Sequence, residues 1–144
     1  MSRVALAPAG PEDAGAMAAI LGAWVAETPW MPKLHSAAED RAFCAGIAGR
    51  TVLARRAGHI LGFLTRHEEE VQCLHIAADA RGQGVGAMLL TQAQRARPRL
   101  ALWTFAANTG ARRFYGRAGF VEVSGTAGDN DEGLPDIRME WRRP

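Results

Sequence analysis

Two stretches decide how this chain is read: Arg81-Gly82-Gln83-Gly84-Val85-Gly86 and, further on, Asn108-Thr109-Gly110-Ala111-Arg112-Arg113-Phe114-Tyr115-Gly116-Arg117-Ala118-Gly119-Phe120. The first is a glycine-rich turn between an apolar run and an amphipathic one, a combination that presents backbone N–H groups to a phosphate at a helix N-terminus. Several folds use that device, so the loop alone is generic. Gly82, Gly84 and Ala87 also satisfy the dinucleotide-binding pattern Gly-x-Gly-x-x-Ala. That fold needs an acid about 20 residues later to hold the ribose. After Asp79 the next acid is Glu122, so the dinucleotide reading fails on context.

Working outward, Val4 to Ala7 reads as a first strand, and Pro11-Glu12-Asp13 opens an apolar-periodic helix from Ala14 to Ala26. Residues 27–35 carry two prolines and are expected to be irregular. A second helix runs from Ala37 or Ala38 to Ala48, with Ser36 as N-cap and Glu39 completing a capping box. Thr51 to Arg55 and His59 to Thr65 form a hairpin around Ala57-Gly58. A strand from Glu70 to Ala77 enters the glycine-rich loop, which opens a helix from about Gly84 to Ala96. Leu100 to Phe105 (strand), Thr109 to Ala118 (helix), Phe120 to Ser124 (strand) and Asp136 to Trp141 (strand) complete a mixed α/β order. At 144 residues this is one domain, residues 1–144, large enough to bury a core.

Taken together, the two stretches resemble the GNAT family of acyl-CoA-dependent N-acetyltransferases. The family's phosphate loop runs Arg/Gln-x-x-Gly-x-Gly/Ala, filled here by Arg81, Gly84 and Gly86, and its next element is matched by Asn108, Phe114, Tyr115, Gly119 and Phe120. The likeness covers roughly residues 51–123. It implies the GNAT fold: a central, mostly antiparallel sheet of about seven strands, splayed between the fourth and fifth and flanked by about four helices. It also implies acetyl-CoA as cosubstrate, with no metal. Gly82, Gln83, Gly84, Val85, Gly86 and Ala87 would wrap the pyrophosphate through main-chain N–H groups, with Arg81 at the loop mouth. Leu74, His75 and Ile76 would pair their backbone with the pantetheine amides as if the cofactor were a further strand.

Acetyl transfer to an amine needs a neutral nucleophile, a polarised thioester carbonyl and an acid for the departing thiolate. Tyr115, the only tyrosine, stands where the family places that phenol; the competing reading is a core aromatic beside Phe114. Asn108 is expected to cap its helix and to touch the pantetheine arm. Glu70 matches, by gapless counting back from Arg81, the glutamate used as base in the histone-acetylating branch, although Glu68-Glu69-Glu70 reads equally as a solvated hairpin end. His75 is a further base candidate, more often a packed strand histidine, and His35 is another, or else a pocket wall or a plain loop histidine. The branch that acetylates ribosomal-protein N-termini has a glutamate where this chain has Trp103, which argues against that substrate. Many members use an ordered water instead of a side-chain base.

Acceptor choice in this family falls to the N-terminal helices and the late loop. Here those carry Trp24, Trp30 and His35, and the acids Asp129, Asp131 and Glu132. The aromatics would wall an apolar pocket and the acids would hold an ammonium; Trp24 and Trp30 also read as ordinary core.

The net charge of +2 conceals an asymmetry: residues 80–121 hold seven arginines and no acid, against ten basic and 15 acidic residues elsewhere. Such a segment suits a polyanionic ligand or a solvated helix face, and no aromatic-interleaved basic stripe points to nucleic acid. Cys44 and Cys73 lack disulfide or metal spacing and are expected to be reduced thiols. With no membrane-length apolar run, and no signal-peptide core at Met1-Ser2-Arg3-Val4, a cytoplasmic protein without membrane partners is expected, as a monomer or homodimer. The expected activity is transfer of acetyl to a primary amine of a small molecule or peptide; the alternative is a non-catalytic acyl-CoA-binding module on the same fold.

Overall fold

The computed structural model describes residues 3–144, so Met1 and Ser2, part of the N-terminal stretch read for a signal peptide, lie outside it. Seven strands, β1 (Ala5–Pro8), β2 (Thr51–Arg56), β3 (His59–His67), β4 (Glu70–Ile76), β5 (Arg99–Phe105), β6 (Val121–Thr126) and β7 (Asp136–Arg142), form one mixed sheet in the order β1-β2-β3-β4-β5-β7-β6. All neighbours are antiparallel except β4 and β5. Four helices flank it: α1 (Ala14–Glu27), α2 (Ala37–Ile47), α3 (Val85–Ala96) and α4 (Thr109–Arg117). This is the fold that the resemblance implies. No described helix is long and apolar enough to cross a membrane.

Alternation along the strands sends consecutive side chains to opposite faces and builds two cores. Leu53 and Phe63 join Met17 and Ile20 of α1 and Cys44 and Ile47 of α2 on one face. Their strand neighbours Ala54 and Leu64 join Leu100, Leu102, Met139 and the apolar stripe Val85, Leu89, Leu90, Ala93 of α3 on the other, with Tyr115 of α4. Along β5, therefore, Leu100 and Leu102 point toward α3 and α4, whereas Trp103 and Phe105 alternate with them.

Local signals act as expected at both helix starts. Ser36 Oγ accepts from the Glu39 N–H at 3.1 Å while the Ser36 N–H donates to Glu39 Oε1 at 2.9 Å, closing the capping box of α2. Asn108 Oδ1 accepts from the Ala111 N–H at 3.1 Å and caps α4. The strand expected from Phe120 starts one residue later, because the Phe120 N–H is spent on the Tyr115 carbonyl in the turn that closes α4. Strand β3 runs two residues past the expected Thr65, since Arg66 and His67 pair with Val71 and Glu70.

The chain has almost no room where β3 meets the C-terminal end of β4. A Cβ added at Gly62 would lie 2.7 Å from the His75 carbonyl oxygen and 2.6 Å from Ile76 Cδ1. Gly62→Ala is expected to lower stability by about 1–3 kcal/mol, as overpacking does. Urea unfolding checks this; an unchanged midpoint would contradict the close approach.

Candidate active site

Strands β4 and β5 pair at only two positions, Glu70 with Ala101 and Val71 with Leu102. Opposite this point β4 carries a bulge: Cys73 faces Thr65 and Val71 faces Arg66, leaving Gln72 unmatched. A bulge bends and twists its strand. Beyond it β4 leaves β5, and residues 73–76 keep their β3 partners while their β5-side backbone has none. A cleft of about 2240 Å³ opens there, reaching from α1 and α2 across the sheet to α4.

At one end stands the N-terminus of α3. Gly82 and Gly84 have φ of +75° and +81°, a left-handed conformation that other residues adopt at a cost. Added Cβ atoms there would meet nothing, so the glycines serve backbone shape rather than packing. Gly86 differs: its Cβ would come within 3.4 Å of the Phe114 ring, so its smallness lets α4 approach α3. Gln83 is tied by its Nε2, which donates to the Asp79 carbonyl at 3.0 Å, and by its Oε1, which accepts from Arg56 Nη1 at 2.9 Å. Arg81 lines the cleft, pairs with Glu27 at the end of α1 and reaches the Ile76 carbonyl at 3.3 Å. Of the six residues 82–87, only Gly86 lines the cleft wall; Gly82, Gln83, Gly84 and Ala87 are exposed around the helix start, and the Val85 side chain is core.

Leu74, His75, Ile76, Asn108 and Tyr115 all face the cleft. The Tyr115 ring, 8% exposed, is wedged between Phe114 and Phe120 at 5.2 and 5.5 Å. Burial pushes its phenol well above the ordinary range, with a smaller contribution from Cys73, so the hydroxyl stays protonated. Cys73 lines the same cleft as a free thiol, raised by burial to about 11. Cys44 is also free. His75 packs against Trp24 at 5.3 Å and Phe63 at 5.7 Å. Burial first, then the charge of Arg81, pushes it down to about 4, and the imidazole is neutral at pH 7.

An aromatic wall continues from His75: Trp24 meets Trp30 edge-on at 5.9 Å, and Trp30 meets Phe105 at 5.8 Å. Trp30 and His35 both line the cleft, His35 lying 3.9 Å from Glu39 in an exposed pair. Glu70 is placed elsewhere. It sits at the closed end where β4 and β5 still pair, outside the cleft lining, and its carboxylate is held by both Arg138 nitrogens at 2.7 and 2.8 Å. A carboxylate so engaged, below the point of strand separation, is poorly placed to meet an incoming amine.

The arginine-rich segment also divides differently than its charge suggests. Of its seven arginines only Arg81 lines the cleft; Arg112 is occupied by Glu122 and the Ala106 carbonyl. The cation that does reach the loop from outside is Arg56, which no motif singled out, because the hairpin turn alone brings it to Gln83. Glu27 and Phe105 were likewise unmarked in the sequence, since each acquires meaning only from its partner across the cleft.

A family model described as an acetyltransferase (GNAT) domain matches residues 25–143. The chain belongs to the GNAT acetyltransferase family. No curated protein matches it in sequence. Among solved structures, it is similar to a GCN5-related N-acetyltransferase from Rhodopseudomonas palustris, with 27% identity, TM-score 0.81 and 99% and 97% of the two chains covered. Apo YjaB from Escherichia coli shares 20% identity over 99% of both chains at TM-score 0.81. The putative acetyltransferase yncA from Salmonella typhimurium, solved with its cofactor acetyl-CoA, shares 15% identity over 99% and 95% of the chains at TM-score 0.77.

The neutral, half-buried His75 has a consequence for stability. Its folded pKa lies below the ordinary 6.5, so the unfolded chain binds the extra proton first, and stability falls as pH drops from about 6.5 toward 4. His75→Gln is expected to flatten that decline relative to wild type, read as the difference in melting temperature between pH 7 and pH 4.5; parallel declines would contradict it.

Proposed function

We propose that this protein is an acetyl-CoA-dependent N-acetyltransferase that transfers acetyl directly to the primary amine of a small molecule or peptide. One observation carries the reading: a strand with a free backbone edge, a glycine-shaped helix N-terminus and a buried, protonated phenol meet around a single cleft. The acetyl-CoA held by yncA in the same fold supports the choice of donor.

The residues present fit that donor. Residues 82–87 offer main-chain N–H groups and the positive end of α3 to phosphates, with Arg81 and Arg56 adding charge at the loop. The open edge of β4 at Leu74, His75 and Ile76 offers amide pairing to an extended arm. Asn108 uses its Oδ1 as a cap, which leaves its amide NH₂ for the cleft. The donor supplies an activated thioester: transfer forms the carbon–nitrogen bond, breaks the carbon–sulfur bond, adds a proton to sulfur and removes one from nitrogen. Tyr115 is the proton source for sulfur, kept in its acid form by burial. No side-chain base is needed. Glu70 lies away from the cleft, His75 is too weak a base and His35 is exposed beside Glu39, so the amine gives up its proton to water.

Tyr115→Phe is expected to cut turnover about 10- to 100-fold while acetyl-CoA affinity stays within about twofold; steady-state kinetics with calorimetry check it, and undiminished turnover would remove the acid role. Asn and Asp both tolerate the left-handed conformation at Gly84. Gly84→Asp is therefore expected to weaken acetyl-CoA binding on the order of a hundredfold by charge repulsion, and Gly84→Asn far less. Equal affinities for the two variants would defeat the phosphate assignment. The pH profile of kcat/KM is expected to rise along a single limb set by the acceptor amine, with no inflection near 6.5, because His75 titrates near 4. An inflection near 6.5 that vanishes in His75→Gln would instead make His75 the base.

A further inference from the structure

Glu70, Arg138 and Trp103 form one unit. Arg138 stands directly across from Trp103 in the β5–β7 register, and its guanidinium carbon lies 5.4 Å from the Trp103 ring centroid. Glu70 grips the same guanidinium from β4 with two hydrogen bonds of 2.7 and 2.8 Å. A planar guanidinium held in a fork by a carboxylate has little freedom to tilt, so the ring beneath it is held too. Trp103 nevertheless remains 47% exposed and lines the cleft. A lone exposed aromatic needs no explanation, whereas one continuous with other apolar side chains marks a binding face. This one stands two residues from Phe105, on the same side of β5, and Phe105 leads through Trp30 to Trp24 and His75. The cleft therefore has an aromatic wall opposite the α4 side, where Tyr115 sits.

Its electrostatics select among amines. Aromatic walls bind either flat rings or cations. Here Arg138 covers one face of Trp103 with its charge paired by Glu70, the imidazole at the inner end of the wall is neutral, and the nearby Glu27 is held by Arg81, so this stretch offers ring surface with its charges already paired. Further acids line the cleft on α2, Glu39 and Asp40, and in the late loop, Asp131 and Glu132. A flat ring fits the wall, and the acids suit the ammonium that the acceptor itself carries.

Resting on the acetyltransferase reading, we propose that the acceptor is an arylalkylamine: a primary amine on a short chain bearing a flat aromatic body, which packs on Trp103, Phe105 and Trp30 while the nitrogen reaches toward the strand splay. Glu70 and Arg138 are then positioning residues that set the plane of Trp103, which gives the glutamate before the loop a role in acceptor binding rather than in proton transfer.

Steady-state kinetics with acetyl-CoA would compare 2-phenylethylamine and tryptamine with putrescine, spermidine and an unblocked tetrapeptide. The arylalkylamines are expected to exceed the others in kcat/KM by about tenfold or more. Preference for spermidine, putrescine or the peptide would overturn the proposal and leave the acetyltransferase reading intact. Calorimetric titration of 2-phenylethylamine into the protein saturated with CoA gives a readout independent of turnover. Trp103→Ala is expected to weaken that binding about tenfold, and Trp103→Phe to restore it to within about threefold. Glu70→Gln is expected to raise KM for the arylalkylamine about three- to fivefold, with KM for acetyl-CoA and kcat nearly unchanged. A fall in kcat without a change in acceptor KM would overturn the positioning role. Binding of 2-phenylethylamine that depends on Trp103, with no amine acetylated, would support the aromatic site and remove the acetyltransferase reading instead. Binding indifferent to both Trp103 variants, with thermal melts showing them folded, would overturn the site.

Discussion

The rest of the site depends on the parting of two parallel strands. Between β4 and β5 the ladder closes at Glu70–Ala101 and Val71–Leu102 and then stops, because the bulge at Gln72 turns β4 aside while β3 continues to hold its other edge. Backbone N–H and C=O groups left without a strand partner in a sheet interior must be satisfied by something else. A ligand that lies in the gap as an extended segment can supply that satisfaction. The same parting makes room for side chains from both faces of the sheet to meet at one place.

Those faces carry different chemistry. Toward α3 and α4 lie the shaped turn of Gly82 and Gly84 and the buried phenol of Tyr115, suited to a phosphate-bearing thioester. On the other side, Trp24 and Trp30 come from α1 and the segment after it, and Phe105 and Trp103 from β5, suited to an apolar acceptor. Arg81 spans the two by holding Glu27 at the end of α1 while standing at the mouth of the loop. This partly exposed ion pair contributes little to stability by itself. Its place matters more, since it joins the helix that carries Trp24 to the loop proposed to meet phosphates.

Charge also has a division of labour. Most of the arginines in residues 80–121 face away from the cleft, and the one bidentate pair within the sheet, Glu70 with Arg138, stands below the strand separation. Low dielectric inside the cleft keeps the rings of Tyr115 and His75 uncharged at neutral pH: Tyr115 is raised and His75 lowered, for the same reason of burial. The splay is thus flanked by neutral rings, as the proposed transfer requires.

Local signals determined much of this protein. The Ser36–Glu39 capping box, the Ala57-Gly58 hairpin, the period of Val85, Leu89, Leu90 and Ala93, and the Asn108 cap each depend on residues a few positions apart, and each element formed within a residue or two of its expected ends. The glycine-rich loop and the Asn108–Phe120 stretch carried the family for the same reason. Long-range contact decided the rest. Whether Glu70 faced the cleft depended on Arg138, 68 residues away, and whether Gly86 served phosphate or packing depended on Phe114. Arg56 reached Gln83 only through the hairpin, and Trp103 became part of a wall only when β5 left β4. Short-range geometry is written in neighbouring residues, whereas a side chain's partner across a sheet is fixed only once register, bulge and twist have been set by the packed whole.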